Sequence, residues 1–292
     1  MTLFEAIIMG IIQGIAEFLP ISSSGHLTIF RLLFGIEIET GLLFDVLLHL
    51  GTLAAIFVVY WKDIKELIIE GFKIVGRAIK NTYIGIKNVF SKEKGSYVKV
   101  VSTPYERFVM MVIVSTIPTG IIGLLFKDVI EYAGTTLIIP GIFLIITGIL
   151  LIIADRVKPG TKNESTASYK DAGMIGLAQG IATVPGLSRS GTTIAACLMN
   201  GFDKTFAVKY SFIMSIPAVL GAVVLELKDF TSVSIPNIEL LYYGIGTVIS
   251  GVVGYICIKT MLVIIRGKKF KYFSYYCFAM GLIAIIGNFF IG

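Results

Sequence analysis

The sequence predicts an all-α integral membrane protein in which six transmembrane helices and two re-entrant helical hairpins form an inverted-topology repeat. Three observations predict it. The chain of 292 residues is 55% hydrophobic and only 15% charged, with a mean hydropathy of +0.87, too apolar for a soluble domain. Its charges collect in connections between apolar runs long enough to cross a bilayer. One polar motif also occurs twice: QGIAEFLPISSSGHL from Gln13 and QGIATVPGLSRSGTT from Gln179 share seven identities in fifteen positions at a constant offset of 166, far more than composition produces by chance.

The elements follow in order within a single membrane domain, 1–292. Leu3 to Leu19 is helical in character, but Pro20 and a serine run stop it short of a span, and Thr28 to Phe34 is too short to cross alone. Residues 2–35 therefore read as a hairpin that enters and leaves by one face, its tip at Pro20 to Gly25 lining a cavity, because non-helical backbone at membrane depth survives only there or inside protein. Leu42 to Trp61 is the first crossing, with Trp61 as its interfacial anchor. Lys62 to Arg107 is the most basic connection and so cytoplasmic, and its part 62–90 has amphipathic helical periodicity that suits either a membrane surface or a solvated connector with an apolar stripe for packing.

Phe108 to Phe126 and Thr135 to Ala154 are two further crossings and close the first repeat, about 1–155. A basic loop leads to the second repeat, about 171–292. It opens with a second broken hairpin, 171–200, and continues with crossings at Ala207 to Leu227, Leu240 to Ile265 and Phe273 to Ile291, the last preceded by a basic turn from Arg266 to Lys271. Three crossings separate the hairpins, an odd number, so the two should insert from opposite sides and meet near the midplane. The N-terminal MTLFEAII carries Glu5 and no basic run, and is not expected to be a cleaved signal.

The net charge of +6 lies in these connections rather than on a basic helix or stacking platform, so nucleic acid is not an expected partner. Cys197, Cys257 and Cys277 sit in apolar segments without metal or redox spacing and read as packing residues.

The chemistry is concentrated at the two tips. Gln13 and Glu17 lie four apart and project from one helix face. Ser22, Ser23, Ser24 and Gly25 then supply hydroxyls and backbone N–H groups at a helix start, where an anion is favoured. Ser188, Ser190, Gly191 and Thr192 repeat that arrangement, and Arg189 adds a permanent charge whose planar fork suits phosphate oxygens. If the tips meet, Arg189 would neutralise a phosphate, a serine would attack or position a water, and Glu17 or His26 would move the proton. A purely structural Glu17–Arg189 pair would have to offset about 2.5–3.5 kcal/mol for each charge at membrane depth, which favours a site. Asp45 and His49, one turn apart on the first crossing, are expected to support the site from behind.

At these residues the chain resembles the undecaprenyl-diphosphate phosphatase family, also called the bacitracin-resistance protein family. The first family motif reads here as Gln13, Glu17, Pro20, Ser22, Ser23, Gly25 and His26. The second reads as Pro185, Gly186, Ser188, Arg189, Ser190 and Gly191. The resemblance implies hydrolysis of a C55 polyprenyl diphosphate lipid to the monophosphate and inorganic phosphate, recycling a cell-wall carrier. It implies Glu17, Ser23, His26 and Arg189 as catalytic residues, and a multi-pass protein of the bacterial inner membrane whose site faces the periplasm. It further implies a homodimer among membrane lipids and a divalent cation, Mg2+ or Ca2+, with Glu17 as a candidate ligand. Gln13 stands where the two-glutamate version of the motif has a second carboxylate. A secondary transporter or flippase of a lipid phosphate is the competing reading, since inverted repeats with discontinuous helices also build transporters.

Overall fold

The computed structural model describes residues 1–35, 41–158, 160–229, 236–267 and 270–291, and apart from one isolated bridge between Lys162 and Phe202 its regular structure is all helical. Lys268 and Lys269 of the expected last basic turn lie outside the described residues.

α1 (Leu3–Phe18) opens with a capping box in which Thr2 and Glu5 satisfy each other's backbone N–H groups. It ends because Pro20 forces Leu19 into extended backbone. The chain then turns through Ser22, whose φ of 71° is left-handed and unfavourable for a residue with a Cβ. Ser22 Oγ accepts the N–H of Gly25 at 3.3 Å and so starts α2 (Ser23–Phe34). The duplicate is built alike. α8 (Tyr169–Ile181) opens on a Ser168–Asp171 capping box, the chain breaks at Pro185 and at Gly186 with φ 93°, and Ser188 Oγ accepts the N–H of Gly191 at 3.1 Å to start α9 (Arg189–Met199).

Among the described residues five helices are long and apolar enough to cross a membrane: α5 (Pro104–Leu125), α7 (Ile138–Arg156), α10 (Lys204–Asp229, over Lys204–Leu225), α11 (Asn237–Arg266) and α12 (Phe270–Ile291). α3 (Gly41–Val59) with α4 (Trp61–Phe90) makes a sixth if the bent pair is one span; the two meet at 87°. The expected boundaries shift in three places. The first crossing ends at Val59, so Trp61 begins α4, which is one unbroken helix of 30 residues. α5 starts at Pro104 rather than Phe108, because Thr103 and Glu106 form a capping box with proline in the first turn. The short connection after α5 contains a further helix, α6 (Lys127–Ala133).

Packing follows the duplication. α1 leans along α11, and its duplicate α8 leans along α5, while α7 and α12, the last helices of the two halves, pack on each other. The α1–α11 crossing is close because Gly10 faces Gly246, where any side chain would strike backbone. Large apolar side chains such as Leu124, Val248 and Val263 remain exposed along the spans, as lipid contact requires. The result is an all-α membrane protein whose two broken hairpins meet tip to tip inside it.

Candidate active site

The tips touch through backbone as well as side chains. Gly186 N–H donates to Ser22 Oγ at 3.1 Å, and Ser190 Oγ donates to the Leu19 carbonyl at 3.4 Å. A Cβ on Gly25 would sit 2.8 Å from Gly186 Cα, so only glycine allows this approach. Thr147 of α7 steadies the second tip, donating to the Gly186 carbonyl and accepting the Ser188 N–H, both at 3.0 Å.

Glu17 is the centre of the polar cluster. Its Oε1 accepts from the Arg189 guanidinium across the two hairpins. Its Oε2 accepts the Ser23 hydroxyl at 2.6 Å and the Gln13 amide at 3.0 Å. The Gln13 amide nitrogen also lies 2.9 Å from His49 Nδ1, which joins His49 to the cluster. His49 Nδ1 lies 3.6 Å from Glu17 Oε2. Glu17 and Gln13 are buried, whereas Ser23 and Arg189 are half-buried.

Ser23 and Arg189 are the first residues of α2 and α9. Two helix N-termini, with their unpaired N–H groups and positive dipole ends, thus converge on one point. Beside Glu17 and Arg189 a small cavity is lined by Phe18, Ser190, Ser211, Phe212 and Ser215.

The remaining expected residues divide by the structure. Ser22 and Ser188 are buried and accept backbone N–H groups as helix caps, and Ser22 also accepts from the opposite tip, so the oxygens of both are engaged in holding the backbone. Ser190 points into the cavity and bonds Leu19; Gly191 packs on Pro20, where a Cβ would lie 3.1 Å from the ring. Ser24 is half-buried on α2, and Thr192 is buried with a hydroxyl that has no partner.

Two expectations are redirected. His26 turns away from Glu17: Nδ1–H donates to the Ser22 carbonyl at 2.8 Å, and Nε2 accepts from the Tyr276 hydroxyl at 2.8 Å, the two rings lying parallel with centroids 5.5 Å apart. Asp45 pairs with Arg31 and ties α2 to α3, while His49 meets Gln13. The shared face of a helix brought the two together in the sequence, but each side chain reaches a different neighbour.

Sequence reading missed Tyr276, Ser211 and Ser215. The last two lie four apart in an otherwise apolar stretch of α10, a signal of the same kind that marked Gln13 and Glu17. Tyr276 carried none, because tyrosines are common near membrane interfaces.

The donor set also suits a hard cation. Gln13 Oε1 is buried without a hydrogen-bond partner. With the Glu17 carboxylate and the Ser23 hydroxyl it offers oxygen ligands of the kind that hold Mg2+ or Ca2+ together with substrate phosphate oxygens. Among the described residues no group of three His, Cys, Asp or Glu side chains forms a self-contained metal site.

A family model described as bacitracin resistance protein BacA matches residues 6–283. The chain is similar to the undecaprenyl-diphosphatase of Methanosphaera stadtmanae, with 42% identity over 286 residues and 97% of each chain covered. It is 40% identical to that of Methanobrevibacter smithii over 291 residues, covering 99% of this chain and 98% of the relative. It is also 40% identical to that of Alkaliphilus metalliredigens over 287 residues, covering 98% of each.

Proposed function

The chain belongs to the bacitracin resistance protein BacA family, and from that premise we propose that it hydrolyses undecaprenyl diphosphate to undecaprenyl phosphate and inorganic phosphate at the Glu17–Ser23–Arg189 cluster. The observation that carries the reading is the contact of both Ser23 and Arg189, from different hairpins, with the one carboxylate of Glu17.

The residues divide the work by geometry. Arg189 and the N-termini of α2 and α9 attract the terminal phosphate and neutralise its oxygens. The Ser23 oxygen attacks its phosphorus as its proton passes to Glu17 Oε2, with which it already shares a 2.6 Å hydrogen bond. The bond from that phosphorus to the bridging oxygen breaks, and the polyprenyl monophosphate leaves with the electron pair. Glu17 gives its proton to the departing polyprenyl monophosphate; water then attacks the phosphoserine phosphorus, the bond from phosphorus to the serine oxygen breaks, one water proton restores the serine hydroxyl by way of Glu17, and the other leaves with inorganic phosphate. Gln13 and His49 hold Glu17 in place. A divalent cation held by Glu17 and Gln13 Oε1 would supply further charge neutralisation at the diphosphate. His26, locked between Ser22 and Tyr276, shapes the tip rather than moving a proton.

We assign the protein to the plasma membrane with the site opening to the outer side. The strongly basic stretch 61–100, between α3 and α5, supports this by marking the cytoplasmic face. Purified protein in mixed micelles should release phosphate from a long-chain polyprenyl diphosphate, and Arg189→Ala should lower that release by about 10²–10³-fold with helicity retained. Undiminished release by the folded variant would sink the assignment. Counterflow of intact diphosphate across proteoliposomes without phosphate release would support the transporter instead.

A further inference from the structure

We propose that α4 is an in-plane anchor whose lysine row binds the headgroups of anionic phospholipids. The helix turns 87° from α3 at Tyr60 and runs for 30 residues, about 45 Å at 1.5 Å per residue. If α3 crosses the bilayer, α4 lies along its surface.

Its side chains sort by angle at about 100° per residue. Ile68, Phe72, Val75, Ile79, Ile86 and Phe90 fall within one narrow stripe, and all are exposed, Phe72 at 75%, Ile79 at 65% and Phe90 at 86%. Along one edge of that stripe Lys62, Lys73, Lys80 and Lys87 form a row, each exposed. Of these four, among the described residues, Lys73 alone has an acidic neighbour in hydrogen-bonding reach, Glu70 at 2.6 Å.

The opposite face is already taken. Asn81 exchanges two hydrogen bonds with the backbone of Val98, at 2.7 and 2.8 Å, and Asn88 does the same with Gly95, at 2.9 and 2.7 Å. Arg77 reaches the Val100 carbonyl at 3.3 Å and pairs with Glu106 at 2.5 Å. The extended segment 95–100 is therefore strapped to α4 on the side away from the stripe, which leaves the apolar face for something other than this chain.

The occupant is set by chemistry. A continuous apolar stripe with lysines along its flank fits acyl chains below and phosphate headgroups beside them. Residues 61–100 carry nine basic and four acidic side chains, a net charge of +5 where the whole chain has +6. That charge selects anionic over zwitterionic lipid, by about fivefold for each lysine held at the surface.

The chain contains a single tryptophan, Trp61, so replacing it with phenylalanine and introducing Phe72→Trp or Phe90→Trp reports on the middle or end of α4 alone. The full-length protein is reconstituted in bilayers of phosphatidylglycerol and phosphatidylcholine at equal fractions, with bromine on the upper acyl chains of one lipid or of the other. Both reporters should be quenched, and more strongly when the bromine is on the anionic lipid. Replacing Lys62, Lys73, Lys80 and Lys87 together by glutamine should abolish the difference, with phosphate release from the polyprenyl diphosphate retained as the check on folding. Absence of quenching at Phe90→Trp would show a helix standing off the bilayer. Equal quenching by both lipids, or a preference that survives loss of the four lysines, would remove the anionic selectivity. Each of these three results overturns the proposal.

Discussion

Ser23 donates its hydroxyl to Glu17 Oε2 at 2.6 Å, a bond made within one hairpin and across the break that separates α1 from α2. Glu17 is held for this bond by Gln13 from one turn earlier and by Arg189 from the other hairpin. The proposed nucleophile, proton acceptor and phosphate-binding cation are therefore joined through one carboxylate, and substitutions around it should separate their roles.

Glu17→Gln keeps a side chain of the same size but removes the proton acceptor. Phosphate release should fall by about 10²–10⁴-fold while the protein still extracts as a folded species. A variant with more than a tenth of the parent rate would show that another group accepts the serine proton.

Ser22→Ala and Ser23→Ala should give opposite results. Ser22 caps α2 and accepts the Gly186 N–H, so its loss should cost about 1–2 kcal/mol of stability and leave measurable turnover. Ser23→Ala should keep the parent melting temperature and abolish turnover and any isotopic labelling of the protein by terminally labelled diphosphate. Labelling of the Ser23→Ala protein would place the nucleophile elsewhere.

Tyr276→Phe leaves His26 Nε2 without its hydrogen-bond donor. The expected loss is about 0.5–1.5 kcal/mol of stability, with the catalytic rate changed by less than about threefold, well below any effect on the barrier expected of a proton-transfer group. A fall as deep as that of Glu17→Gln, measured on protein shown to be folded, would put the imidazole into the chemistry.

Gln13→Glu adds a second carboxylate beside Glu17, at a position whose buried acceptor lacks a partner. The half-saturating concentration of Mg2+ or Ca2+ should drop, and direct titration with Mn2+ followed by its paramagnetic signal should show tighter binding without reference to turnover. Unchanged Mn2+ affinity would remove Gln13 from the set of ligands.

Much of the arrangement of the candidate site was legible in the residues. Charged groups in apolar sequence mark a site because the membrane penalises them, and Glu17 and Arg189 stood out on that ground alone. The breaks were visible in Pro20, in Pro185 with Gly186, and in the serines that cap α2 and α9. The division of labour among the serines was not, because the direction of Ser22 depends on a left-handed φ that no composition rule supplies for that residue. His26 could be placed beside the serines but not against Tyr276, whose position 250 residues later depends on how α12 packs on α2 and α7. The same limit applied to Asp45: helical spacing joined it to His49, whereas a tertiary contact gave it to Arg31.

The bond from Gly186 to Ser22 spans 164 residues of sequence. At about 5–20 residues per second of synthesis, the first tip must wait on the order of ten to thirty seconds before its partner has even left the ribosome. Through that interval a carboxylate, an amide and three hydroxyls have no guanidinium to meet. Biogenesis of this protein therefore has a vulnerable period that ends only when the later half inserts, and a chain interrupted before α9 leaves a half-built polar plug for membrane quality control to remove.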